Sequence, residues 1–226
     1  MDPANEPAAE YEQKKENKNM DGIIFDVDGT LWDSTDSVTE SWNLAIRENS
    51  DLDLTITAEI LKGLFGKTMT EIANALFPSL PEKERMEFLD VCYDYENRHL
   101  ETHPGDLYEG VVDTLQKLAE KYPLYIVSNC QCGYIEVMIK TSGIGSLIRD
   151  HLCFGETGTP KSETIRALME RNGLKDVVYV GDTQGDADAC KAAGVPFVFA
   201  EYGFGDVPDA EKRISKISDL CGMYLD

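Results

Sequence analysis

Gly22-Ile23-Ile24-Phe25-Asp26-Val27-Asp28-Gly29-Thr30-Leu31 is the stretch that decides the fold. Ile23, Ile24 and Phe25 make a short apolar run bounded by Gly22 and an acidic turn, the pattern of a strand buried on both faces of a parallel sheet. Asp26 and Asp28 follow at once. Ligands of open α/β sheets bind beyond the C-terminal ends of the strands, so the pattern predicts two carboxylates projecting into a crevice. Gly29 permits a tight turn and leaves loop N–H groups free for an anion. A plain Asp-Gly turn has the same local sequence, so the rest of the chain has to decide between the two.

Downstream of this stretch, apolar residues recur at helical spacing from about Ser34 to His103. Val38, Trp42, Ala45 and Ile46 come first, then Ile60, Leu61, Leu64 and Phe65, then Ile72, Ala73, Leu76 and Phe77. Pro78 and Pro81 punctuate, and a last helix runs from Pro81 to about Leu100. So long a helical segment exceeds an ordinary crossover, and it predicts an all-helical domain over 34–103 inserted into a core formed by 20–33 and 104–226. After Pro104-Gly105 helices and strands alternate. A helix over Glu109–Lys121 leads to a strand at Leu124–Val127 that ends in Ser128-Asn129, and a helix follows over Gly133–Ser142. His151–Phe154 reads as a third strand, Gly155–Pro160 as a loop, and Lys161 as the start of a helix. Val177–Val180 is a fourth strand, ending in Gly181-Asp182-Thr183-Gln184-Gly185-Asp186, and Pro196–Ala200 a fifth. Such alternation predicts an α/β fold with a parallel, Rossmann-like sheet and right-handed crossovers.

The 42 acidic residues against 21 basic ones give a formal charge of −21, which opposes binding to nucleic acid or to anionic membranes. No stretch reaches the ~20 apolar residues of a membrane span, and residues 1–19 are polar without a secretory apolar core. That extension is given no chemistry; Ala8–Lys18 reads as a short helix or as no fixed structure. The six cysteines are scattered, and Cys130 and Cys132, the one close pair, cannot complete a four-ligand zinc shell. Reduced thiols and a cytoplasmic location are expected.

Four strand ends now come together at one sheet edge: Asp26 and Asp28, Ser128 and Asn129, Lys161 beyond the third strand, and Asp182 and Asp186. Clustered carboxylates in a crevice need a cation, and carboxylates beside an anionic substrate point to Mg²⁺. In this arrangement Asp26-Val27-Asp28-Gly29-Thr30-Leu31, Ser128-Asn129, Lys161 and Gly181–Asp186 resemble, in order and spacing, the four motifs of the haloacid dehalogenase-like superfamily. The helical insertion resembles the small cap of its phosphoglycolate phosphatase-like and β-phosphoglucomutase-like branch.

The resemblance implies a Mg²⁺-dependent phosphatase acting on a small phosphorylated metabolite. Asp26 would be the nucleophile and Asp28 the acid/base. Ser128 and Asn129 would bind the phosphoryl group, and Lys161 would offset its charge. Asp26, Asp28 through its backbone carbonyl, and Asp182 would hold the metal, with Asp186 orienting that shell. Gly29 and Thr30 would face the substrate. Gly63-Leu64-Phe65-Gly66-Lys67-Thr68 resembles a substrate-facing cap loop, from which Lys67 could reach a distal anion, and Tyr202-Gly203-Phe204-Gly205 resembles the loop after the fifth strand. Two alternatives stay open at this point: a sugar phosphomutase using the same residues, and a receiver-like signalling or phosphate-binding module.

Overall fold

The computed structural model describes residues 20–225; the segment considered as a helix at Ala8–Lys18 lies outside them. Six parallel strands form the main sheet: β1 (Gly22–Phe25), β4 (Leu124–Ser128), β5 (Ile148–Cys153), β6 (Val177–Gly181), β7 (Phe197–Ala200) and β8 (Arg213–Ile214). Their order is β5-β4-β1-β6-β7-β8, which puts β1 at the centre. Ile23, Ile24 and Phe25 are wholly inaccessible to solvent, each worth about 1.5–3 kcal/mol of transfer free energy. The central position explains the run of consecutive apolar residues, since neither face of β1 meets water. The chain adds β4 and β5 on one side of β1 and then crosses to add β6 on the other, so the end of β1 is a switch point with an open crevice.

Helices α1 (Thr35–Asn49), α2 (Ala58–Lys62), α3 (Met69–Leu76) and α4 (Glu82–Leu100) stand between β1 and β4. α1 packs along α4, with Trp42 edge-on to Tyr93 at 5.7 Å between ring centres and Phe77 edge-on to Phe88 at 5.0 Å. Thr68 and Glu71 close a reciprocal capping box that starts α3. A two-strand antiparallel ribbon, β2 (Trp32–Asp33) with β3 (Asp106–Leu107), joins this insertion to the core. On the sheet's faces lie α5 (Val111–Ala119), α6 (Tyr134–Thr141), α8 (Lys161–Asn172) and α9 (Gln184–Ala193).

Several boundaries differ from the expectation. The third core strand is Ile148–Cys153, and Phe154 instead opens a short helix, α7 (Phe154–Thr157), inside the segment expected as a loop. Glu156 drives this change: its carboxylate accepts the Cys153 N–H at 2.9 Å and so caps that helix. β2, β3, β8 and the terminal helix α10 (Asp219–Tyr224) were not anticipated. The three strands are two residues long, too short to show a periodicity.

Candidate active site

Asp26 leaves the end of β1, Asp182 leaves the end of β6, and Asp186 lies in the first turn of α9; all three are buried, and an oxygen from each fits within 4.8 Å of the others. Lys161, the first residue of α8, reaches into the group. Its Nζ lies 3.0 Å from Asp26 Oδ1 and 2.5 Å from Asp186 Oδ1. Asp186 Oδ2 accepts from the Thr183 N–H at 3.0 Å and the Thr183 hydroxyl at 2.6 Å, so the residue caps α9 while holding the lysine. Asp182 Oδ2 accepts the Phe204 N–H at 2.8 Å, and the Thr30 hydroxyl lies 3.4 Å from Oδ1. Gly29 has φ 78°, and a Cβ there would collide with the Asp182 carboxylate, so the turn requires glycine.

One ammonium faces three carboxylates, and the imbalance shows in their ionisation. Burial, then Asp186, pushes the Asp26 carboxyl up to about 7 against the pull of Lys161. Burial, then Asp186 and Asp26, pushes Asp182 up to about 8. Burial would lower the Lys161 ammonium, but Asp186 and Asp26 outweigh it and hold it above its ordinary value.

Asp28 is held separately. Tyr134 O–H (2.6 Å), Ser34 O–H (2.8 Å) and Trp32 Nε1–H (3.1 Å) all donate to its Oδ1, and none of the three occupies Oδ2. Burial raises its carboxyl to about 6, and these three donors oppose the rise. Ser128 ends β4 and is buried. Asn129 follows, and its Nδ2 donates to the Gly66 carbonyl of the helical insertion at 2.9 Å. Phe65 stacks on Phe204 at 5.3 Å, a second contact between insertion and core. Between the two lies a cavity of about 50 Å³ with Asp28, Ser128 and Asn129 along its floor. Lys67 lies on its lining but is itself exposed.

A family model for haloacid dehalogenase-like hydrolases matches residues 23–200. The chain belongs to this family. Among curated relatives of this hydrolase, phosphoglycolate phosphatase from Rhodobacter capsulatus is 26% identical over 209 residues, covering 89% of this chain and 94% of the relative. Phosphoglycolate phosphatase from Photobacterium profundum is 29% identical over 197 residues, covering 80% and 83%. A solved structure of a predicted phosphoglycolate phosphatase from Haemophilus somnus superposes with a TM-score of 0.78 at 24% identity, covering 90% of this chain and 97% of that one. A haloacid dehalogenase-like family hydrolase from Streptococcus pneumoniae gives 0.76 at 19% identity. These likenesses show the fold.

The expected site residues of the hydrolase thus occupy two adjoining groups. Asp26, Lys161, Asp182 and Asp186 form the charged one; Asp28, Ser128 and Asn129 border the cavity. Thr30 is fully buried and spends its hydroxyl on Asp182. Sequence reasoning missed Tyr134, Ser34 and Trp32 as partners of Asp28. It also missed Glu96 of α4, a buried carboxyl in the cavity wall that accepts from Trp42 Nε1 and from Gln131 Nε2 at 3.0 Å. The donor set suits a hard divalent cation: three carboxylate oxygens in reach of one another, a surplus of negative charge, and an Asp26 carboxylate with only Oδ1 tied to Lys161. Asp186 commits both its oxygens to Lys161 and Thr183, which suits an orienting role.

Proposed function

We propose that this hydrolase is a Mg²⁺-dependent phosphatase that cleaves a small phosphomonoester through an aspartyl-phosphate on Asp26. The observation that carries the reading is the buried Asp26–Lys161–Asp186 arrangement beside Asp182, with Asp28 held two residues further on by three donors of its own. The phosphoglycolate phosphatases among its relatives support the same reaction class.

In the first step an Asp26 carboxylate oxygen attacks phosphorus, and the bond from phosphorus to the alcohol oxygen breaks as Asp28 gives that oxygen its proton. In the second, Asp28 takes a proton from water, the hydroxide oxygen bonds to phosphorus, and the bond to Asp26 breaks, returning both carboxyls to their starting state. This acid/base work is worth ~10²–10⁴-fold. A carboxyl held near 6 suits both halves, since it gives and takes a proton near neutrality. Lys161 keeps Asp26 oriented and offsets phosphoryl charge, and Ser128 and Asn129 donate to the phosphoryl oxygens. Asp26, Asp182 and the Asp28 backbone carbonyl would hold Mg²⁺, which would supply positive charge to the phosphoryl oxygens and favour ionised Asp26. The Asn129–Gly66 and Phe65–Phe204 contacts support an insertion that closes over the site and keeps out bulk water.

Phosphate release from a panel of phosphomonoesters, with Mg²⁺ or with chelator, tests the reading. Release that requires Mg²⁺ and falls at least about 10³-fold in Asp26→Asn is expected. Undiminished release in that variant would remove Asp26 as nucleophile.

A further inference from the structure

The cavity above Asp28 carries a chemical bias. Glu96 is 4% exposed and lies in its wall, yet no lysine or arginine among the described residues neutralises it. Its two hydrogen bonds come from uncharged donors, Trp42 and Gln131. Burial pushes this carboxyl up to about 8, despite both donors. Around it stand the rings of Trp42, Tyr93 and Tyr134, all buried. The Asn129 Oδ1, also facing no solvent, has no hydrogen-bond partner among the described residues.

The donors on this wall are largely spent. The Trp42 N–H goes to Glu96, the Gln131 Nε2 group to Glu96 and, at 3.1 Å, to Asn97 Oδ1, and the Tyr134 O–H to Asp28. The lining then offers a buried acid with no cation paired to it among the described residues, an orphaned amide oxygen and the rings of Trp42, Tyr93 and Tyr134, set among the apolar side chains of Val38, Leu61, Leu64 and Ile72. Aromatic faces attract cations through the ring quadrupole, and a buried carboxylate gains most from a charged donor brought to it. A cation brought to Glu96 would favour its ionised form, whereas a carboxylate in the same place would oppose that ionisation and leave Asn129 Oδ1 unsatisfied. Lys67 is the exception on the lining; it is exposed and also acts on Glu71, so its charge is screened at the mouth. A cavity of about 50 Å³ is several times the ~10–15 Å³ that one water-sized group needs, which leaves room for a small alcohol.

We propose that this cavity takes a cationic leaving group, so that the substrate is the phosphomonoester of a short amino alcohol, with Glu96 as the residue that sets this specificity. The inference rests on the phosphatase reading and names the substrate class of the same site. It sets this chain apart from the phosphoglycolate phosphatases it resembles, whose named substrate ends in a carboxylate.

Three phosphomonoesters of matched length test it: O-phosphoethanolamine, 2-hydroxyethyl phosphate and 2-phosphoglycolate, which end in an ammonium, a hydroxyl and a carboxylate. The native protein should rank them in that order by kcat/KM, with the ammonium ester ahead of the carboxylate ester by about 10- to 100-fold. In Glu96→Gln the preference for the ammonium over the hydroxyl ester should fall by at least about tenfold, a ratio that a loss of folded enzyme would leave unchanged. Preference for 2-phosphoglycolate in the native protein overturns the inference while the phosphatase reading stands. An ammonium preference that survives unchanged in Glu96→Gln overturns the role given to Glu96. Release from none of the three, nor from any other ester, overturns both readings together.

Discussion

Two buried acidic groups flank the floor of the crevice, and they are balanced in opposite ways. Around Asp26 the protein supplies a cation of its own, Lys161, and gathers three carboxylates against it. Around Glu96 the described residues supply two uncharged donors, Trp42 and Gln131, and aromatic rings, with Lys67 exposed on the same lining. Each group is short of positive charge, but by a different kind. The first has hard oxygen donors at strand ends, which suits a small divalent ion and a phosphoryl group. The second has a buried acid, Glu96, among aromatic rings, which suits an organic cation. Asp28 has three donors on one oxygen, and on the proposed reading it would give its proton to the leaving alcohol there.

The sharpest way to break this contrast is to remove the cation that the first group owns. Lys161→Met should leave Asp26 and Asp186 buried without a cation and cost about 3–5 kcal/mol of stability, read as a lowered urea midpoint with an unchanged slope. Loss of turnover without loss of stability would show that Lys161 serves only the substrate.

A smaller effect is expected where the two groups meet. Tyr134→Phe removes the shortest of the Asp28 donors, and a net hydrogen bond to a charged group of about 1.5 kcal/mol predicts roughly a tenfold fall in kcat. That donor favours the ionised form, so its loss raises the Asp28 carboxyl above about 6. The alkaline limb of the kcat profile, where the acid form is lost, should move to higher pH. A fall in kcat with both limbs in place would assign Tyr134 to packing alone.

The smallest effect concerns the second group in isolation. Glu96 has its carboxyl raised from 4.5 to about 8 in the folded chain. The folded state therefore binds its proton more tightly, and the stability this contributes is complete below pH 4.5 and is lost as pH rises toward 8. Thermal scans between pH 5 and 8 should show a Tm slope that Glu96→Gln flattens by a few degrees. An unchanged slope would mean that Glu96 is neutralised in the native protein by something other than a proton.

The same contrast explains which parts of the molecule were legible in the sequence. Strands β1, β4 and β6 are central, so their apolar runs stand out, and Asp26, Ser128 and Asp182 sit at or just beyond the ends of those runs. Lys161 opens a helix after a Pro, a position that order along the chain picks out. Tyr134 lies more than a hundred residues from Asp28 and falls on an apolar helix stripe, where it reads as core. Trp32 and Ser34 are near in sequence but belong to a two-residue strand and its exit, which have no periodic signature. Glu96 is one acid among many on α4, and burial alone distinguishes it from Glu82, Glu84 or Glu87. Charged residues at strand ends announce themselves, whereas a charged residue turned inward on a polar helix becomes visible only once the helix is packed.

The most direct test of the central claim is to look for the covalent intermediate. The protein would be mixed with Mg²⁺ and the best ester of the panel, quenched in acid during turnover, digested, and examined by mass spectrometry for a phosphoryl group on the peptide that carries Asp26. A phosphoryl group on that peptide, absent in Asp26→Asn, is expected. Steady phosphate release with no phosphoryl group on Asp26, together with incorporation of label from water directly into phosphate in a single step that inverts configuration at phosphorus, would contradict the account.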